Sequence, residues 1–227
     1  LVSHGLTDAA MFDANGIAIQ PADTFYKKAI LVERGSFRPI TKVTMDMLRC
    51  AESRFLQEPA VQGQPVVEVM EMTLHNLLAG GRIDPADFLD RVDLLGTLGK
   101  SVLISNFAQH FRLAAYLHRY TKQRVGMVMG VPTLHELFQE KYYHDLDGGI
   151  LESFGRLFKN DLKLYVYPML DPVTNEVVTA DTLKVAPHLK HLYQYLLQNQ
   201  FIESLPDYDP SCLSIVSPTV LSLIKTH

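Results

Sequence analysis

Residues Ala29-Ile30-Leu31-Val32-Glu33-Arg34-Gly35-Ser36-Phe37-Arg38-Pro39-Ile40-Thr41-Lys42-Val43 decide the fold. A short, continuously apolar run passes through a turn around Gly35 into a segment of helical period. Val43, Met47, Ala51 and Phe55 fall four apart and predict a helix over 42–56 with one apolar stripe. An apolar run without alternation is the pattern of a strand covered on both faces, as in a parallel sheet flanked by helices.

Four more runs repeat the pattern, at 65–71, 101–106, 124–130 and 162–167. The segments between them carry helical stripes: Phe88, Val92, Leu95 and Leu98; Phe107, Phe111, Ala114 and Leu117; Ile150, Phe154, Leu157 and Phe158. Asp84 reads as an N-cap, Pro85 as a first helical residue and Gly99 as a stop. Strands alternating with helices predict an α/β, doubly wound, Rossmann-like and mostly parallel five-stranded sheet. After Tyr167 six prolines punctuate the chain, with one helix near 187–199 and a short one opened by Ser217 and Pro218. The expectation is a single α/β domain over 1–227, in which 169–227 form a helical C-terminal appendage. Leu1 stands where a start methionine would, and 1–24 read as the N-terminal remnant of a longer chain.

Composition narrows the function. The 227 residues are 47% hydrophobic, with 21 basic against 25 acidic side chains and a net charge of −4. No basic excess offers a phosphate-backbone footprint, so nucleic acid is not the expected partner. No apolar run approaches the roughly 20 residues of a membrane helix. Two cysteines, Cys50 and Cys212, form neither a disulfide framework nor a zinc pattern and suit a cytoplasmic protein.

Ligands of open parallel sheets bind outside the carboxyl ends of the strands. The first such turn combines Gly35, which permits close approach, with the amides of a helix N-terminus and the cations Arg34 and Arg38. Arg34, Gly35, Ser36, Arg38 and Thr41 are therefore the candidate phosphate ligands, with Asn106 across the crevice. Asn106 also reads as the cap of its own helix, whose N-terminus offers a second wall facing an anion, while His110 and Arg112 lie off the apolar stripe on a solvated flank.

The stretch Gly35-Ser36-Phe37-Arg38-Pro39-Ile40-Thr41 resembles the Gly-Ser-Phe-Asn-Pro turn of nicotinamide and nicotinate mononucleotide adenylyltransferases, and the whole chain resembles the C-terminal half of longer bacterial proteins. The resemblance implies a small phosphate-bearing ligand, with magnesium accompanying a nucleotide, and transferase chemistry. It covers about ten residues. Arg38 stands at the asparagine, and Thr41 and Thr44 stand at the family's two phosphate-binding histidines, which implies altered or lost catalysis.

Other patterns carry less. His144, Asp145 and Asp147 beside Gly148 and Gly149 offer cation ligands or an ordinary turn. His188 and His191 lack a third ligand. His118, Arg119, Lys122 and Arg124 read as a cationic helix end. Cys50 has no placed histidine to activate it. No nucleophile elbow, dinucleotide fingerprint, phosphate loop or zinc-protease helix occurs. The expected function is a nucleotide- or phosphate-binding domain. The alternative is a noncatalytic interaction or oligomerisation module on the same scaffold, including a homo-oligomer.

Overall fold

A computed structural model describes residues 2–78, 84–215, 220 and 222. In chain order these form strands β1 (Ala9–Phe12) and β2 (Ala18–Ile19), helix α1 (Pro21–Phe25), β3 (Ala29–Arg34), α2 (Lys42–Leu56), β4 (Val66–Thr73), α3 (Leu74–Leu78), α4 (Pro85–Thr97) and β5 (Ser101–Ser105). They continue with α5 (His110–Leu117), β6 (Val125–Gly130), α6 (Val131–Leu137), α7 (Gly149–Leu157), β7 (Leu162–Tyr167), the small hairpin β8 (Met169–Leu170) and β9 (Val177–Val178), α8 (Lys190–Gln198) and β10 (Ile202–Ser204).

The main sheet runs β10-β7-β6-β3-β4-β5-β1-β2. From β10 through β5 every neighbouring pair is parallel; β1 and β2 continue the sheet antiparallel. Numbered by their own order in the chain, the six parallel strands stand as 3-2-1-4-5-6, the order of doubly wound dinucleotide-binding sheets, with its switch point between β3 and β6.

The sheet has eight strands rather than the five read from sequence. All five expected strands are present within two residues of their expected ends. The other three, β1, β2 and β10, come from the segments read as an N-terminal remnant and a helical appendage. They are two to four residues long and exist because a neighbour's open edge pairs with them: Ala9 through Phe12 lie opposite Ser105 through Val102, and Ile202 through Ser204 opposite Leu164 through Val166.

Alternate side chains of the parallel strands enter two apolar layers. One gathers Ile30, Val32, Val69, Met127 and Leu164 with the buried sides of α5, α6, α7 and α8. The other gathers Leu31, Met70, Met72, Tyr165 and Tyr167 with α2, α4 and tail residues Leu205, Tyr208 and Leu213. This double cover explains why all six residues of β7 and the first five of β3 are buried.

Local punctuation does the rest. Thr41 caps α2, accepting from the Thr44 amide, and Asp84 caps α4, accepting from the Ala86 and Asp87 amides. Gly99, at φ 72°, turns the chain out of α4, so Leu98 lies past the helix and is 41% exposed rather than part of the buried stripe. The helix read from Ser217 and Pro218 lies outside the described residues.

Candidate ligand site at the carboxyl ends of the strands

The first turn is filled by the protein itself. Arg34 closes a two-pronged ion pair with Glu71 on the next strand, Nε to Oε2 at 2.6 Å and Nη2 to Oε1 at 3.1 Å. Its remaining donors go to the Phe107 and Ala108 carbonyls at 2.9 and 3.0 Å. Arg38 reaches out to Asp87, Nε to Oδ1 at 3.0 Å, with its side chain half exposed. The Ser36 carbonyl accepts from Arg91 at 2.9 Å. Thr41 is engaged as the α2 cap.

Gly35 has a different reason from the one its sequence suggested. A Cβ there would stand 2.8 Å from Cε1 of Phe37, whose backbone is left-handed at φ 48° and whose ring is buried. The space that the glycine leaves is taken by that ring.

Glu71 is fully buried and also accepts from the Ser105 hydroxyl on β5, which in turn receives the Phe107 amide at 3.3 Å. Three adjacent strands thus hold the loop 105–108 by one arginine, one carboxylate and one hydroxyl. Charge-assisted, two-pronged contacts of this kind fix geometry as well as energy. Asn106 is not the cap of α5. Its amide continues the sheet pairing by donating to the Asp8 carbonyl at 3.0 Å, and the helix starts only at His110, behind Gln109.

Beyond this loop lies a cavity of about 520 Å3. Its walls are His75 and Asn76 of α3, the 108–111 entry to α5, Thr133, Glu136 and Leu137 of α6, Tyr142 and Tyr143, and Ser153 and Leu157 of α7. Gln109 precedes α5 with no side-chain cap, so the helix presents its first-turn amides and positive dipole end uncapped by any side chain. His110, expected on a solvated flank, has its Nε2 shielded from solvent and without a partner. Burial, helped by the Arg34 charge, pulls its pKa down to about 3, so the imidazole is neutral.

The remaining sequence candidates do not join this cavity. Asp145 and Asp147 are exposed, with His144 3.1 Å from Asp145. Among the described residues no three His, Cys, Asp or Glu side chains stand close enough to hold a metal ion. His188 pairs with Glu140 at 2.7 Å. His118, read as part of a cationic helix end, is buried, and burial lowers its pKa. Burial and the nearby Asp46 push the Cys50 thiol up to about 11, the opposite of an activated nucleophile. Sequence reasoning missed His75, Thr133, Glu136 and Tyr142, which come from three separate segments; only Thr133 and Glu136, three apart on α6, share a spacing.

Among the described residues no helix is long and apolar enough to cross a membrane. Compared with protein-family models and with curated proteins, the chain matches none.

Proposed function

We propose that this domain binds a small phosphate-bearing ligand, of the nucleotide class, at the carboxyl ends of its strands, with the phosphate at the start of α5 rather than in the first turn. The observation that carries this reading is the cavity of about 520 Å3, a volume suited to a small organic ligand, beside the uncapped N-terminus of α5 in a sheet of order 3-2-1-4-5-6. The first turn is the weaker location because Arg34, Arg38 and Thr41 already serve internal partners. Adenylyl transfer is altered or lost on this reading, since Thr41 and Thr44 bond to each other at 3.3 Å where the resembled family places histidines.

Thermal unfolding tests it, with ATP, nicotinamide mononucleotide and inorganic phosphate, each with and without magnesium. A ligand held only by the folded state adds about 2.7 kcal/mol at a hundredfold excess over its Kd. The expected result is a shift that survives Arg38→Ala and disappears in Ala108→Asp, which sets a carboxylate at the exposed entry to α5. A shift lost in Arg38→Ala and kept in Ala108→Asp returns the phosphate to the first turn. No shift with any ligand rejects the reading.

One observation favours the alternative interaction module. Leu94, one helical turn before Leu98, is 44% exposed, and Leu89 on the same helix is 53% exposed, which gives α4 apolar groups on its outer side. Sedimentation at rising concentration decides it: self-association abolished by Leu94→Lys supports a homo-oligomer through α4, and a monomer at every concentration removes it.

A further inference from the structure

Two helices bring opposite ends to the cavity. The wall at 108–111 is the N-terminal entry to α5, where unpaired amides favour an anion, whereas the opposite pole is the end of α6 at Glu136 and Leu137, whose carbonyls already accept from the Gln139 amide at 3.0 Å and the Tyr143 hydroxyl at 2.8 Å. Glu136 adds a full negative charge at that second pole. Glu136 is exposed, lines the cavity and forms no ion pair among the described residues. No lysine or arginine stands among the described lining residues; Lys141 lies over the Tyr142 ring, 4.9 Å from its centroid, and Arg112 and Arg156 lie over the Phe111 ring at the α5 end, 5.6 and 5.7 Å from its centroid. The imidazole of His110 is neutral and supplies no charge.

A cavity with an anion-favouring pole and an unpaired carboxylate discriminates by charge. It accepts one phosphate and resists a second anion at the α6 end, because like charges brought together there cost affinity. We propose that the cavity selects a phosphate ester that also carries a primary amine, with the phosphate at the start of α5 and the ammonium received by Glu136 beside Tyr142. This rests on the phosphate reading above and adds the second group.

The test is titration calorimetry on the full chain with phosphoethanolamine and ethyl phosphate, which differ only in the amine, using the wild type and Glu136→Gln. The expected result is that phosphoethanolamine binds the wild type about tenfold more tightly than ethyl phosphate. In Glu136→Gln the advantage falls to about twofold or less, while ethyl phosphate binds at least as well as before. Equal affinity of the two esters for the wild type, or an advantage that survives Glu136→Gln, overturns the proposal and leaves the phosphate reading standing. If neither ester binds while nucleotides still stabilise the fold, the amine proposal alone falls. If no phosphate compound binds at all, both fall.

Discussion

Arg34 and Glu71 face each other across neighbouring parallel strands, and the pair is nearly shut off from water, with side-chain exposures of 11% and 0%. Removing one partner strands a buried charge, which costs about 3–5 kcal/mol, whereas replacing both with apolar groups of similar size is often neutral. Glu71→Ala is therefore expected to destabilise the fold by that amount, and Arg34→Met combined with Glu71→Leu to recover most of it. Urea midpoints of the single and double variants measure this; an equal loss in both would show that the Phe107 and Ala108 carbonyls, not the charge, dominate.

Glu33 precedes Arg34 on β3 and points into the other layer, where its Oε2 is buried without a partner. Burial raises its pKa well above 4.5, against a smaller opposing effect of Lys100. A group with a raised folded pKa contributes its full stability below the unfolded value near 4.5 and loses it as pH climbs through the folded value. Glu33→Met should therefore raise stability by about 1–3 kcal/mol near pH 8 and confer progressively less gain toward pH 4. Denaturant midpoints across that range check it; a gain independent of pH would mean that Glu33 does not titrate in the fold.

The sequence made β7 legible to the residue because Leu162–Tyr167 is apolar at every position but Lys163 and is bounded by Asn160 and Pro168. Helix α2 was equally clear, since its apolar stripe repeats every four residues, although its Thr41 cap reads in sequence as a phosphate ligand instead. β1 and β10 carried no comparable signal, because four- and three-residue strands are specified by the edge they join rather than by their own pattern. The site was obscured for a related reason. Arg34 and Arg38 have the chemistry of phosphate ligands, but their fate depends on Glu71 and Asp87, 37 and 49 positions away, and no spacing rule connects them. Glu136 and His110 meet in one cavity only because α5 and α6 follow adjacent crossovers of the wound sheet.

Gly126 on β6 sits beneath α2 where three side chains converge. A Cβ there would lie 2.9 Å from Cδ1 of Leu31 and from Cε2 of Tyr165, and 3.0 Å from Cδ2 of Phe55. The two rings also pack edge to face, with centroids 6.0 Å apart, so neither moves without disturbing the other. Overpacking a close-fitted core costs about 1–3 kcal/mol. Gly126→Ala is expected to lower the unfolding midpoint by that amount, and Gly126→Ala with Leu31→Ala, which vacates one of the three contacts, to cost less than the two changes summed.

Asp46 ties the chain after β10 to the sheet. Its Oδ2 accepts from the Tyr167 hydroxyl at 2.6 Å and from the Asp209 amide at 2.8 Å, and its Oδ1 accepts from Arg49, which also donates to the Asp207 carbonyl at 2.8 Å. Burial alone would raise its pKa, but these hydrogen bonds outweigh it and hold the carboxyl below 3.8. A depressed carboxylate contributes stability above its unfolded pKa and loses it as pH falls through the folded value. Asp46→Asn is accordingly expected to cost about 1.5–3 kcal/mol at pH 7, with wild type and variant converging as the pH drops below 3.8. Hydrogen exchange localises the effect: the Asp209 and Cys212 amides should lose protection in the variant while those of β7 keep theirs, because the β7 backbone is held by its pairing with β6 and β10 and loses only the Tyr167 side-chain contact. Equal loss of protection in both segments would mean that Asp46 supports the whole layer under α2.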